Sequence, residues 1–382
     1  MTTTRPRLLV SCGEPSGDLY GAELVRHLRK DLADLSVFGL GGEGLAARDA
    51  SLVAHVRDLA VVGLLEVVGS LPRLRRVLRA VLEEVDRDRP DLAVLIDYSG
   101  FNLRLARALK RRNIPIVYYV SPQVWAWRRG RIRTIRETVE RMLVLFPFEP
   151  AIYEAAGVPV TFVGHPLVDL VRPAPDRAGF LTSLDLDPGR PLVAVLPGSR
   201  AREIAFNLPP LAGAIARLAR ERPALQFALA VAPGVSADDL GCHLGTLPVR
   251  LVREETHALL GAADVGLVAS GTATVEAALL GTPMVVVYRV SWPSYVIGRP
   301  FVRVPHYAMV NLVAGRRIVT ELIQRAFTPE RVSAEALALL DDRERAARMR
   351  ADLAEVRQRL GGGGASERAA RIVKEMLERT RG

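Results

Sequence analysis

Leu92-Ala-Val-Leu-Ile-Asp97-Tyr-Ser-Gly100-Phe-Asn102 is the stretch on which the fold turns. Its apolar run reads as a strand, the strand ends on an acid, and the turn leads into an amphipathic stretch, Leu103–Arg112. The same unit recurs on either side. Strands are expected at Arg7–Cys12, Leu92–Ile96, Ile116–Val120, Met142–Phe146 and Thr161–Val163. They continue at Leu192–Leu196, Gln226–Val231, Val249–Val252, Val265–Ala269 and Met284–Tyr288, with helical stretches such as Leu208–Arg220 and Thr274–Leu280 between them. Strands that alternate with helices in this way predict an α/β fold with parallel sheets.

The Pro-rich segment Arg172-Pro-Ala-Pro-Asp176 divides this rhythm into two α/β halves of similar size. Domains are therefore expected at 1–171 and 172–345, followed by a helical tail at 346–382. In the tail, Gly361–Gly364 separates Arg343–Leu360 from Ser366–Glu378 and reads as a flexible joint. The last helix is expected to dock on the first domain or on a second subunit, which leaves a homodimer open. Ligands of open α/β sheets bind beyond the carboxyl ends of the strands, so a cleft between the two halves is the expected site.

The chain of 382 residues has only two cysteines, Cys12 and Cys242, which excludes a disulfide framework and fits a reducing cytoplasm. Met1–Arg7 has no apolar core and does not read as a signal peptide. No stretch approaches the ~20 apolar residues of a membrane span. The longest candidate, Leu59–Leu71, is interrupted by Glu66 and followed by Pro72. A formal charge of +10 calls for an anionic partner, whether nucleic acid, anionic lipid or a phosphorylated substrate. The arginines are spread over helices without a recognised binding module, so nucleic acid is not expected. The histidines show no paired spacing, and Asp86-Arg-Asp88 and Asp185-Leu-Asp187 precede strands and read as turn residues. Neither a metal nor a cofactor is expected.

The segments that carry chemistry all lie at strand ends. In Gly13-Glu14-Pro-Ser16-Gly17-Asp18 the glycines let backbone approach a ligand, and the following helix offers its N-terminus to a polar or anionic group. The segment reads equally as a tight turn in which Ser16 or Asp18 caps that helix. Asp97 stands where a carboxylate can act as a general base, or simply hold a turn. Tyr118-Tyr-Val-Ser121-Pro-Gln123-Val-Trp125-Ala-Trp127-Arg128 sets aromatic faces beside arginines, for a sugar or an acyl-phosphate surface, or as loop anchors. Leu196-Pro-Gly198-Ser199-Arg200 places backbone amides and a guanidinium where a diphosphate would sit, or forms a glycine turn with a solvated arginine. Ser270-Gly271-Thr272-Ala-Thr274-Val-Glu276 has small residues that admit a diphosphate and a carboxylate able to accept both hydroxyls of a ribose. Its alternative is a capping box with Thr272 or Thr274 as the cap. No Walker A loop, dinucleotide fingerprint or nucleophile elbow is present. Finally, Leu64, Leu65, Val67, Val68 and Leu71 adjoin Arg73, Arg75, Arg76 and Arg79. That pattern suits shallow insertion at an anionic bilayer, or a buried helix with a basic end.

Taken together these segments resemble the lipid-A-disaccharide synthases, inverting glycosyltransferases with two Rossmann-like domains in the GT-B arrangement. The shared motifs run from about Leu8 to Gly315: Gly13–Asp18, Leu59–Gly69, Asp97 with Phe101 and Asn102, and Tyr119–Arg128. Pro147-Phe-Glu149, Gly164-His165-Pro166, Leu196–Arg200, Ala269–Glu276 and Asn311–Gly315 complete them. The resemblance implies transfer of 2,3-diacylglucosamine from UDP to the 6-hydroxyl of 2,3-diacylglucosamine 1-phosphate, with inversion and without a metal. It places the UDP sugar on the second half, at Ser199, Arg200, Ser270, Gly271, Thr272, Glu276 and Asn311. The acceptor falls on the first half, at Gly13, Glu14, Ser16, Gly17, Asp18, Asn102, Ser121 and Trp125, with Asp97 as the base. It further implies a peripheral protein on the anionic cytoplasmic face of the inner membrane. Two positions depart from the pattern: Ser99 stands in place of the proline of Asp-x-Pro, and Val310 in place of a proline before Asn311.

Two other readings share these residues. A UDP-sugar 2-epimerase of the same fold would need no lipid surface, and the Leu64–Leu71 cluster with Trp125 and Trp127 argues against it. A non-catalytic nucleotide-sugar-binding protein at a membrane would not need both Asp97 and Arg200.

Overall fold

The computed structural model describes residues 5–59, 64–124, 130–174, 176–232, 234–292, 295–296, 299 and 304–381. The chain forms two units, Met1–Pro166 joined by Gly361–Gly382, and Leu167–Leu360.

The first unit is built on seven strands: β1 (Arg7–Cys12), β2 (Ser36–Gly41), β3 (Ser51–His55), β4 (Leu92–Ile96), β5 (Ile116–Tyr119), β6 (Arg141–Val144) and β7 (Val160–Phe162). They pair in parallel in the order β3-β2-β1-β4-β5-β6-β7. The second unit has six: β8 (Leu192–Leu196), β9 (Gln226–Val231), β10 (Val249–Arg253), β11 (Val265–Ala269), β12 (Met284–Tyr288) and β13 (Thr320–Ile323). Their order, again parallel, is β10-β9-β8-β11-β12-β13.

Every residue of β4, β8, β9 and β11 is buried, as central parallel strands must be when helices cover both faces. Three strands carry no clear apolar run in the sequence. β2 contains Gly39 at φ +140°, where a Cβ would stand 2.0 Å from the Val10 carbonyl oxygen, so glycine is needed for β2 to lie against β1. β3 and β13 are edge strands and only partly buried.

In each sheet the chain moves outward from one strand and then resumes on its other side. The reversal falls between β1 and β4 in the first unit and between β8 and β11 in the second. Crevices at such switch points are where open α/β sheets bind ligands. The turns Gly13–Asp18 and Asp97–Asn102 follow β1 and β4, and Pro197–Arg200 and Ser270–Thr272 follow β8 and β11.

Residues 346–360, expected in the tail, lie within the second unit, in the helix Arg343–Arg359 and its C-cap residue Leu360. Arg357 there donates to the Leu279 carbonyl at 3.1 Å. Gly361, Gly363 and Gly364, all at positive φ, lead into the last helix, Ala365–Arg381. That helix returns to the first unit, where Ala369, Ala370, Val373 and Leu377 are buried and Lys374 pairs with Asp31 of the helix Pro15–Asp31 at 2.9 Å.

Candidate active site

In the first unit the switch point is shaped by strain. Asp97 and Tyr98 lie consecutively in the left-handed region, at φ 46° and 41°. Such non-glycine residues cost about 1–3 kcal/mol each, so the surroundings must hold them there. Two side chains grip the Asp97 carbonyl: the Asn102 amide at 2.9 Å and the Tyr118 hydroxyl at 2.6 Å. The Asp97 N–H is bonded in turn to the Tyr119 carbonyl at 3.1 Å. Burial first, then Asp97 and Tyr153, push the Tyr118 phenol well above its usual range. It therefore stays protonated and serves as a donor. The Asp97 side chain at this turn is half-buried.

Tyr98 packs its ring on Gly13, where a Cβ would meet ring carbons at 2.2 Å. The turns after β1 and β4 are thus in direct contact. Gly13, Glu14 and Ser16 remain partly exposed there. Gly17 is buried against Cys12 and Ile96 and serves packing. Neither Ser16 nor Asp18 caps the helix Pro15–Asp31, whose N-cap position is Glu14.

Several residues expected to face the acceptor turn inward. The Asp18 carboxylate accepts from the amides of Gly42 and Gly44 at 2.7 Å and of Leu45 at 3.2 Å, fastening the loop after β2. Asn102 is fully buried; it also donates to the carbonyls of Ser11 and Ile96 and accepts from the Ser11 hydroxyl at 2.7 Å. Ser121 is buried and hydrogen-bonded to the Tyr153 hydroxyl at 2.7 Å. In each case the buried polar group is satisfied by the protein itself, as buried polar groups generally are. Trp125 lies outside the described residues.

In the second unit a cavity of about 1000 Å³ opens at the β8/β11 switch point. Gly198, Ser199 and Glu203 line it from the β8 side, and Ser270, Gly271, Thr272 and Glu276 from the β11 side. The helix Thr272–Leu279 begins at the cavity without a side-chain cap, so the capping box is not formed. The Thr274 hydroxyl donates back to the Gly271 carbonyl at 2.8 Å, and Glu276 faces His257 at 3.8 Å. An uncapped helix N-terminus with small residues around it suits a diphosphate. Glu203 braces the opposite turn by accepting from the Ser199 amide at 3.2 Å.

Arg200 is exposed at the edge of this site, 3.4 Å from Glu203 and close enough to Tyr288 to lower its phenol against the larger upward effects of burial and Glu203. Asn311 does not reach the cavity. It is fully buried, accepting from the amides of Ile318 and Val319 and donating to Glu321 at 2.7 Å. Glu254 and Glu255, just after β10, and His257, in the first turn of the following helix Thr256–Ala262, also line the cavity, as do Arg172 and Phe180. None was singled out from the sequence. For Glu254, Glu255 and His257 the available signal was their place beyond the carboxyl end of β10.

The backbone of the helix Leu64–Arg87 runs through the expected membrane cluster, but the side chains of Leu64, Leu65, Val67, Val68 and Leu71 lie outside the described residues. Farther along, Val81 and Val85 are buried with Leu74, Val77, Leu78 and Leu82 packed beside them, while Arg73, Arg75, Arg76 and Arg79 are exposed. The Asp-x-Asp triplets are engaged elsewhere: Asp86, in the last turn of that helix, pairs with Arg112 at 2.6 Å, and Asp185 pairs with Arg250 at 3.5 Å.

Two parallel α/β units of this kind define the GT-B class. The fold is similar to that of UDP-GlcNAc 2-epimerase from Neisseria meningitidis, with a TM-score of 0.69 at 14% identity over 97% of this chain and all of that one. It is likewise similar to the glycotransferase of kitacinnamycin, with a TM-score of 0.63 at 19% identity over 98% of this chain and 100% of that one. At such identities the likeness is one of fold. Sequence decides further. The family model described as lipid-A-disaccharide synthetase matches residues 8–376. Lipid-A-disaccharide synthases from Solibacter usitatus and Myxococcus xanthus are each 44% identical, over 98% of this chain and 98% of theirs. The chain belongs to the lipid-A-disaccharide synthetase family, and it is a glycosyltransferase of lipid A biosynthesis.

Proposed function

We propose that the chain condenses UDP-2,3-diacylglucosamine with 2,3-diacylglucosamine 1-phosphate, giving a β-1,6-linked disaccharide 1-phosphate and UDP. The observation that carries the reading is the cavity at the β8/β11 switch point, with an uncapped helix N-terminus beside Glu276. The diphosphate sits at Ser270–Thr272 with Arg200 reaching from the side, Glu276 takes the ribose hydroxyls, and the base lies toward Glu254–His257. At the other station, Asp97 accepts the proton of the acceptor's 6-hydroxyl as that oxygen attacks the anomeric carbon. The bond from that carbon to the diphosphate breaks, and UDP departs with the electron pair. Inversion follows from attack opposite the leaving group.

The substrates carry acyl chains, and no helix among the described residues is long and apolar enough to cross a membrane. Peripheral attachment to the anionic cytoplasmic face of the inner membrane, through the cluster Leu64–Leu71 and Arg73 and Arg76, would bring the protein to acylated substrates of this kind. The test is incubation of purified protein with both acylated sugars and identification of the product by mass. Release of UDP without the acceptor, or C2 inversion of the donor sugar, would favour an epimerase instead.

A further inference from the structure

Five large hydrophobic side chains are exposed among the described residues. Three of them, Trp292 (54%), Val296 (47%) and Tyr307 (41%), fall between residues 289 and 307 of the second unit. That stretch of sequence holds four aromatic residues, three arginines and no Asp or Glu. The rings of Trp292 and Tyr295 are 6.0 Å apart, and the Arg325 guanidinium lies 4.8 Å over the Trp292 ring. Burial raises the Tyr307 phenol, Tyr295 raises it further and Arg299 opposes them, so both neighbours bear on Tyr307. Arg299 and Arg325 are exposed. Glu321, the carboxylate beside Tyr307, is turned onto the amides of Tyr307 and Ala308 at 3.1 and 2.8 Å.

We propose that this basic aromatic surface is a bilayer contact of the second unit, seated on anionic phospholipid at the rim of the nucleotide pocket. Tryptophan and tyrosine settle at the headgroup level of a membrane, and exposed guanidiniums beside them pair with anionic lipid phosphates. An apolar protein face would cover the rings but leave Arg299 and Arg325 without counter-charge, whereas an anionic lipid surface accommodates both. The location adds a reason. The Ser270 hydroxyl, at the pocket, donates to the Tyr307 carbonyl at 3.0 Å, so the surface and the pocket mouth are one piece of structure. Seating the first holds the second at the lipid–water boundary. This contact is separate from the helix Leu64–Arg87, which belongs to the first unit.

The chain has three tryptophans, and replacing Trp125 and Trp127 by Phe leaves Trp292 as the sole reporter. On mixing with phosphatidylcholine vesicles containing phosphatidylglycerol, its emission should shift to the blue and be quenched by lipids brominated on the acyl chains. Vesicles of phosphatidylcholine alone should give a much smaller response. Arg299→Glu with Arg325→Glu should weaken the response at least several-fold. Should the double Phe variant not fold, comparing brominated-lipid quenching in the parent with that in Trp292→Phe isolates the same signal. A protein that sediments with the vesicles while Trp292 emission stays unchanged would overturn the proposal, placing the contact elsewhere. So would a Trp292 already shielded from acrylamide in solution, in an oligomer that Trp292→Ser dissociates, because a second copy would then be the occupant. Neither result bears on the transfer reaction, which is assayed separately.

Discussion

The hydroxyl of Tyr118 donates a 2.6 Å hydrogen bond to the backbone carbonyl of Asp97, the first of two consecutive residues in left-handed backbone. β4 and β5 are paired neighbours in the first sheet, so a side chain of one strand fixes the turn that ends the other. Asn102 grips the same oxygen from the helix side at 2.9 Å. The candidate base is therefore held by two groups that are themselves fully buried.

Tyr118→Phe tests that aim. Losing one neutral hydrogen bond should lower stability by about 0.5–1.5 kcal/mol. Turnover should fall further than stability suggests, by up to ~10²-fold, because small misplacement of a catalytic group is costly. UDP affinity, measured by calorimetry, should not change. Unaltered turnover would mean that Asn102 alone suffices to hold the turn.

Asp97→Asn keeps the shape of the side chain and removes its basic oxygen. Turnover should drop by about 10²–10⁴-fold, the usual contribution of a general base. The melting temperature and UDP affinity should remain close to those of the parent. A folded, UDP-binding variant with near-normal turnover would place the base elsewhere.

Donor recognition divides between two side chains. Glu276→Ala should weaken UDP about 10-fold or more, in line with the loss of a charge-assisted hydrogen bond. The same variant should lose less affinity for 2′-deoxy-UDP than for UDP, because the deoxy ligand offers that carboxylate only the 3′-hydroxyl. Arg200→Ala should also weaken UDP, and Arg200→Lys should not restore it, because an ammonium cannot pair bidentately with the diphosphate. Equal losses for UDP and uridine in the arginine variant would dissociate Arg200 from the phosphates.

His165 sets a pH dependence of stability. It is buried beside Tyr20 and Phe146, and burial lowers its pKa from 6.5 to about 3. Below pH 6.5 the unfolded chain binds a proton that the folded chain refuses, so stability is lost as pH falls through that range toward 3. The loss from this residue between pH 7 and pH 5 should be about 2 kcal/mol. His165→Phe should remove that part of the slope in urea titrations at the two pH values. An unchanged slope would assign the acid sensitivity to other groups.

Much of this was legible in the residues themselves. Continuous apolar runs announced the strands that became β1, β4, β8 and β11, and glycines and acids at their ends announced the turns. Those signals are local: burial of a central parallel strand demands apolar residues on both faces, and a strand-to-helix turn demands small or polar ones. β2 was hidden because its glycines answer to the neighbouring strand, and the half-exposed edges β3 and β13 had little apolar pattern to show. His257 and Glu254 were hidden for a related reason, since only the sheet order brings the segment after β10 to the cavity at β8 and β11.

The sequence by itself determined the α/β class, the positions of the turns at the strand ends and the identity of Asp97 and Glu276 as carboxylates beyond those ends. Only the tertiary structure decided which polar residues of those motifs face outward. Asp18 is held by amides that begin 24 residues away, and Asn102 by Ser11 at a separation of 91. A carboxylate or an amide reads the same in a sequence whether it awaits a ligand or fastens a loop. The difference lies in whether distant backbone arrives to satisfy its hydrogen bonds, because a polar group may be buried only when something does.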